Sequence, residues 1–313
     1  MIRMLEENDH EVVIFDDLSR GHIHAVQGRT LETIDLTDLG AVRHACNEHR
    51  PEACMHFAGC ELVGESMVDP MRYLHGNICG GLNLLKGLED TGCRYFVLSS
   101  SCAVYGVPER APIDEGCRTS PVSPYGLSKL TLEKSLGEPS RLNGVRFVSL
   151  RYFNTAGADI KNDLGEDHDP ETHLNPNVVF AALGRSQAVK VFGTDYPSTL
   201  DGTCVRDYVH VIDLCNAHLL ALNRLVSTQE SNIYNLGSGR GFSVREVIRS
   251  VERVSGRTVP TEEAQRRDGD PPVLVSSYRK AATELGWEPE FKNLDAIVET
   301  AWQWHQAHPN GYI

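Results

Sequence analysis

The stretch Ser123–Lys129 reads SPYGLSK. If it opens a helix, Tyr125 and Lys129 lie one turn apart and share a face. A phenol ordinarily titrates near 10, so a free tyrosine is a poor base at neutral pH. An ammonium held one turn away favours the phenolate and lowers that pKa. The pair is then suited to taking a proton from a hydroxyl and giving it back. Alone, Y-x-x-x-K is a common pattern, and an exposed Tyr–Lys pair is its ordinary meaning. The chain supplies a second part. Tyr95–Gly106 reads YFVLSSSCAVYG, an apolar run ending in Ser99, Ser100 and Ser101. Strand-end serines usually cap backbone groups, but one here can also bond the hydroxyl that Tyr125 serves. Strand-end serines followed by Y-x-x-x-K are far more specific than either part.

These residues must be positioned by the elements around them. Short apolar runs at Val12–Phe15, Ala53–Ala58, Tyr95–Ser99 and Val145–Tyr152 read as strands. Met71–Leu88 and Ser123–Leu136 between them read as helices, and the opening MIRMLEEND as the tail of an amphipathic helix. Alternation of this kind predicts βαβ units and a parallel sheet. Ligands of such sheets sit at the carboxyl ends of the strands. The polar residues to watch therefore follow each run: Asp16, Asp35, Gly59, Ser99–Ser101 and Asn154. The second half is broken by GEDHDPETHLNPN, GTDYPSTLDGT, NLGSGRGFS and QRRDGDPPV, all rich in turn formers. It reads as a smaller, loop-rich domain packed over the first.

Composition narrows the function. The chain has 313 residues, 41% hydrophobic and 23% charged, with a formal net charge of −13. That suits a globular protein of about two domains. The negative field disfavours nucleic acid and anionic membrane surfaces, so neither is expected as a partner. No run approaches the roughly 20 apolar residues of a membrane helix, and no secretory signal is visible. The nine cysteines are scattered without a C-x-x-C pair, which predicts reduced thiols and a cytoplasmic setting.

The quoted stretches, with HFAG, VGES, LRYFNTAGA, VFGTDYPSTLDGTCVRDYVHV, YNLGSG and RRDGDPPVL, resemble the UDP-glucose (UDP-galactose) 4-epimerase family. This is a branch of the extended short-chain dehydrogenases/reductases. The resemblance runs in order along nearly the whole chain, and DGTCVRDY and GEDHDPETHL are specific to the branch. It implies a Rossmann-type doubly wound parallel sheet with a smaller mixed α/β substrate domain. Residues 1–153 would bind NAD. Residues 154–313 would mainly bind the UDP-sugar, with segments near 203–222 returning to the first domain.

The resemblance also implies a chemistry, an NAD-dependent isomerisation of UDP-glucose and UDP-galactose in galactose metabolism. Tyr125 removes the 4-hydroxyl proton, and hydride leaves C4 to give a 4-keto sugar. The sugar turns, and hydride returns to the opposite face. Lys129 lowers the Tyr125 pKa, and Ser101 bonds the 4-oxygen. NAD would be held by Asp16, Asp17, Leu18, Ser19, Asp35, Leu36, Phe57, Ala58, Gly59, Glu61, Asn77, Ser101, Tyr125, Lys129 and Phe153. The UDP-sugar would meet Ser101, Tyr125, Asn154, His173, Leu174, Lys190, Val191, Phe192, Arg206, Arg267, Asp270 and Leu274. Arg206 and Arg267 suit the pyrophosphate, although the adjacent Asp207 and Asp268 also allow surface ion pairs. Leu274 sits where family members vary in size, which leaves N-acetylated sugars open. The family further implies a homodimer joined through helices of the cofactor domain.

Family members begin with a strand, a G-x-x-G-x-x-G turn and a helix, and the turn cradles the dinucleotide pyrophosphate. In this sequence Met1 falls where that helix would be, so the expected sheet has its first strand missing. Asp16 lies where the family has its ribose-binding acid. Weak NAD binding is the expectation for the 313 residues.

Other readings carry less. His168 and His173 sit among four acids in GEDHDPETH, but the spacing is no helical H-x-x-x-H pair and Pro170 breaks a helix. A solvated or substrate-covering loop without metal is expected there. NLGSGRG lies too late in the chain for a dinucleotide fingerprint. It reads as a strand-to-helix turn, with Ser243 as N-cap. A 4,6-dehydratase or decarboxylase of the same superfamily would need an acid where Cys102 and Ala103 stand. A non-catalytic UDP-sugar binder is the rival from another class.

Overall fold

The computed structural model describes residues 1–142, 144–267 and 269–312, with the backbone alone for residues 138–142. Its strands are β1 Ile14–Asp16, β2 Leu31–Thr33, β3 Ala53–His56, β4 Tyr95–Ser101, β5 Arg146–Tyr152, β6 Asn154–Ala156, β7 Val189–Phe192, β8 Val205–His210, β9 Asn232–Leu236, β10 Gly241–Ser243, β11 Thr261–Ala264 and β12 Val273–Leu274.

The first layer is parallel throughout. Strands β3-β4-β5-β9 form one sheet and β1-β2 another. The facing edges, β1 and β3, are not hydrogen-bonded to each other, and both border one cavity. The sheet is thus split at the place where the sequence reading left out a strand. Apolar residues of β4 and β5 face both ways, because helices cover both sides. One side packs Phe96 and Leu98 against Val42, Leu84, Leu132 and Leu136. The other packs Val97, Val148 and Leu150 against Leu214, Ala217, Leu222 and Trp287.

The second half returns a great deal of chain to this layer. Helix Val211–Thr228, β9 and helix Arg279–Leu285 all contribute to the second cluster, well beyond the 203–222 segment. The remaining residues build a smaller mixed body. Strand β8 sits among β10, β12 and β6, and β7 pairs with β11. Helices Leu174–Leu183, Val244–Ser255 and Leu294–Ala307 pack over it through Val178, Val247, Val251 and Ile297.

Local sequence explains most element ends. Ser243 accepts from the Glu246 amide while Glu246 reaches back to the Ser243 amide, a complete capping box. NLGSGRG does not run straight into that helix, however, because β10 intervenes. The helix expected over Met71–Leu88 is also interrupted. Pro70–Leu74 and Gly80–Leu88 are separated by a π turn over His75–Cys79, which turns Asn77 toward the loop after β3. Such turns are frequent at functional sites.

Candidate active site

The carboxyl ends of β1 to β5 open into a cavity of about 3200 Å³ that also runs along β1 and β3, and whose far wall comes from the second half of the chain. Helix Pro124–Leu142 begins beside the end of β4. Gly126 makes this close approach feasible, because a Cβ there would come within 2.5 Å of the Ala103 carbonyl oxygen. The helix start thereby sits against the turn that follows Ser101. Ser101 accepts from the Ala103 amide at 3.1 Å and also bonds the Tyr125 phenol.

Lys129 is buried, and its Nζ donates to the Ser99 carbonyl at 3.0 Å, 5.9 Å from the Tyr125 ring centroid. Burial lowers its pKa to about 8, opposed by Glu61, Cys60 and Glu133. Tyr125 moves the other way. Burial raises the phenol above its ordinary value, and the Ser101 bond only partly offsets this. In the unliganded protein the Lys129 ammonium is engaged with the Ser99 carbonyl, and burial sets the direction of the Tyr125 pKa. His56 lies buried at the end of β3, with burial and Lys129 pushing its pKa down to about 3.

The cofactor side is ordered by short local bonds. Asp16 accepts from the Leu18 amide at 2.7 Å. Asp35 accepts from the Thr37 amide and hydroxyl, both at 2.8 Å, and these bonds hold its carboxyl low. Gly59 has φ +139°, and a Cβ on it would come within 2.7 Å of Asn77 Oδ1. Asn77 accepts from the Cys60 amide and donates to the Cys60 carbonyl and Ser128 hydroxyl. Its amide therefore fixes the loop after β3 to the Tyr–Lys helix. Asp17, Ser19, Leu36, Phe57, Ala58, Glu61 and Phe153 also line the cleft. Leu18 does not. It adopts φ +56° in the turn, and only its amide is engaged.

On the opposite wall Arg206 pairs with Asp270 at 3.1 Å, and the Arg267 guanidinium lies 4.0 Å over the Phe192 ring. Asn154 donates to the Asp207 carbonyl at 3.0 Å. His173, Leu174, Lys190 and Leu274 line the same wall. Val191 does not, because strand alternation turns it into the core beside Val189 and Val178.

Asp207 is not the surface partner of Arg206. It is fully buried and accepts from the Ser238 amide and hydroxyl, both at 2.7 Å, and from the Gly239 and Ser276 amides, both at 3.0 Å. Burial pushes its pKa up and these donors oppose it. The glycine-rich turn thus cradles an anion, but the anion is the chain's own carboxylate. Asp268 lies outside the described residues. Asp207→Asn turns an NH₂ toward these donors and is expected to cost about 2–3 kcal/mol, measured by urea unfolding. An unchanged unfolding curve would show that the cradle carries no net stability.

Sequence reasoning missed Cys60, Ser128, His56 and Asp207, whose roles appear only when separate elements meet. It also missed Asn175, which lines the cleft with both amide atoms buried and without a protein hydrogen bond. Two asparagines, Asn175 and Asn177, at the start of an otherwise apolar helix were the available signal.

A split parallel sheet with Ser, Tyr and Lys at its carboxyl edge defines a dinucleotide-dependent enzyme of the short-chain type. The chain belongs to the NAD dependent epimerase/dehydratase family, whose model matches residues 1–237. A UDP-glucose 4-epimerase of Halalkalibacterium halodurans is 43% identical over 311 residues, covering 99% of this chain and 93% of the relative. A crystal structure of UDP-glucose 4-epimerase superposes with TM-score 0.96 at 43% identity, covering 100% of this chain and 95% of that one. The Bifidobacterium longum UDP-glucose 4-epimerase, solved with NAD⁺ and UDP, gives 0.92 at 33% identity, covering 98% and 94%. Among the described residues no helix is long and apolar enough to cross a membrane.

Proposed function

We propose that this chain is an isomerase that interconverts UDP-glucose and UDP-galactose with NAD. The observation that carries the reading is the placement of Ser101, Tyr125 and Lys129 across one cleft from the Arg206–Asp270 pair and Arg267. The donor set fits NAD. Asp16 offers a carboxylate for a ribose diol at the end of β1, and buried Lys129 lies beside Tyr125. NAD, when bound, supplies a fixed positive charge and the hydride acceptor and donor for sugar C4.

The protein's own groups move the proton and hold the nucleotide. Tyr125 takes the proton from the 4-hydroxyl and later returns it. Ser101 bonds the same oxygen and keeps it beside the phenol. Lys129 stabilises the phenolate that proton transfer requires. Arg206 and Arg267 grip the pyrophosphate while the sugar turns. Asn154, His173, Leu174 and Leu274 bound the space available to the sugar. A homodimer fits the exposed Val68, Met71, Leu82 and Leu127 on helices of the cofactor domain. Nine free cysteines fit a cytoplasmic setting.

The test is conversion of UDP-galactose to UDP-glucose with NAD⁺ added, read by chromatography of the nucleotides. Conversion that vanishes in Tyr125→Phe supports the reading, and UDP-sugar binding without conversion overturns it. The unbonded edges of β1 and β3 favour a second reading, a UDP-sugar binder that retains little NAD. Denaturing the purified 313-residue chain and measuring released NAD reads cofactor retention, while conversion with added NAD⁺ decides between the two readings. Much less than one NAD per chain is expected. A value close to one would show that the cofactor side assembles despite the split sheet.

A further inference from the structure

We propose that Glu166, His168, Glu171 and His173 form a binding site for one divalent transition-metal ion of the zinc type. The four residues lie in the loop before helix Leu174–Leu183. One potential ligand atom from each lies within 4.8 Å of all the others. His173 Nδ1 is 2.8 Å from Glu166 Oε1 and 3.1 Å from Glu171 Oε1. His168 Nδ1 is 3.4 Å from Glu166 Oε1 and 3.6 Å from Glu171 Oε2. Bonds of 2.0–2.1 Å to a tetrahedral zinc place ligand atoms about 3.3 Å apart. With Glu171 Oε2 as the ligand, the three separations of 2.8, 3.4 and 3.6 Å bracket that edge length.

A second observation points to a ligand. The Glu171 side chain is 6% exposed, and its two oxygens have different surroundings. Oε1 accepts from the Thr172 and His173 amides at 2.6 and 2.7 Å. Oε2 is buried and has no hydrogen-bond partner, and neither has His168 Nδ1 beside it. Oε2 and Nδ1 face each other at 3.6 Å, beyond hydrogen-bond length, and they pair only if the imidazole carries a second proton. A cation satisfies both atoms at once.

The surroundings match a metal's outer shell. His168 Nε2 faces Glu61 Oε1 at 3.1 Å, a carboxylate that would fix the ring with Nδ1 toward the ion. The Thr172 and His173 amides hold Glu171 with Oε2 turned inward. Two carboxylates, two neutral imidazoles and a divalent ion sum to zero charge. Mixed nitrogen and oxygen ligands of this kind suit zinc better than calcium or magnesium. The sequence argument against a metal required a helical H-x-x-x-H pair. Here the donors converge through a loop, so helical spacing is irrelevant. Bound metal would tie the substrate-side loop to Glu61, which follows β3 on the cofactor side.

The test is zinc content of the purified full chain by mass spectrometry, followed by Zn²⁺ titration against a chromophoric chelator. One Zn²⁺ per chain is expected, with affinity lowered at least about 100-fold in Glu171→Gln and about 10–100-fold in Glu61→Gln. Absence of stoichiometric binding overturns the site and leaves two imidazoliums neutralised by carboxylates. Binding unchanged in folded Glu171→Gln overturns it as well. If that variant does not fold, X-ray absorption of the zinc-loaded wild type decides. Nitrogen and oxygen scatterers alone support the site, whereas sulfur scatterers assign the metal to cysteines and overturn it.

Discussion

Lys129→Met is expected to lower kcat by about 10²–10⁴-fold while making the unliganded protein more stable at pH 7. Both effects come from one buried ammonium. Free lysine titrates at 10.5, but burial brings Lys129 to about 8. Below pH 8 the folded and unfolded chains both carry the proton, and burying that charge costs about 3 kcal/mol. As pH rises from 8 toward 10.5 the folded chain releases its proton first, and the cost disappears. The methionine variant should therefore gain stability at pH 7 and lose that advantage near pH 10. The methionine gives up one bond to the Ser99 carbonyl, worth less than the charge it removes. Urea unfolding at the two pH values checks the stability, and nucleotide chromatography the turnover. A variant less stable than wild type at pH 7 would refute the argument. Tyr125→Phe should lose a comparable amount of kcat with little change in UDP affinity. The phenol oxygen acts on the transferring proton, while the nucleotide is gripped on the other wall.

Arg151→Met is expected to cost about 3–5 kcal/mol of stability, the larger structural effect in the molecule. Arg151 on β5 meets Glu133 on the Tyr–Lys helix, with Nη2 at 2.7 Å and Nε at 3.0 Å. Both side chains are at most 5% exposed. The same guanidinium donates to the Tyr105 hydroxyl at 2.9 Å, and Tyr105 donates to Asn235 at 2.7 Å. Hydrogen bonds to Glu133 hold the Arg151 pKa above its already high value against desolvation. Removing the arginine leaves the Glu133 carboxylate buried with, among the described residues, only the Ser149 hydroxyl bonded to it at 2.9 Å. Arg151→Met with Glu133→Leu should recover much of the loss, because a hydrophobic pair leaves no stranded charge. Urea unfolding of the single and double variants reads this directly. Equal stability of the two would rule out the stranded charge as the cause. Since the network anchors the helix bearing Tyr125 and Lys129, the single variant should also lose activity before it unfolds.

The sequence by itself determined the chemistry-bearing types and the frame that carries them. Apolar runs separated by amphipathic stretches required a parallel sheet, because strands buried on both faces need helical crossovers. Ser101, Tyr125 and Lys129 were legible because local geometry suffices, a strand end and one helical turn. Ser243 was legible for the same reason, since a cap depends on its nearest neighbours.

The tertiary structure decided whatever depends on long-range encounter. Asp207 looked like a surface acid beside Arg206 until the turn at Ser238 and Gly239 folded around it. Asn77 lines the cleft where the resemblance put a cofactor contact, and only the fold shows that its amide also holds Cys60 and Ser128 together. Val191 turned inward because strand register, not motif membership, sets which face a side chain takes. Burial sets the direction of the Tyr125 pKa in the unliganded protein, and desolvation depends on what surrounds a group in space. The four donors of residues 166–173 had no regular spacing to reveal them. Only the loop's path, with Glu61 brought up from the other side of the cleft, places them within reach of one ion.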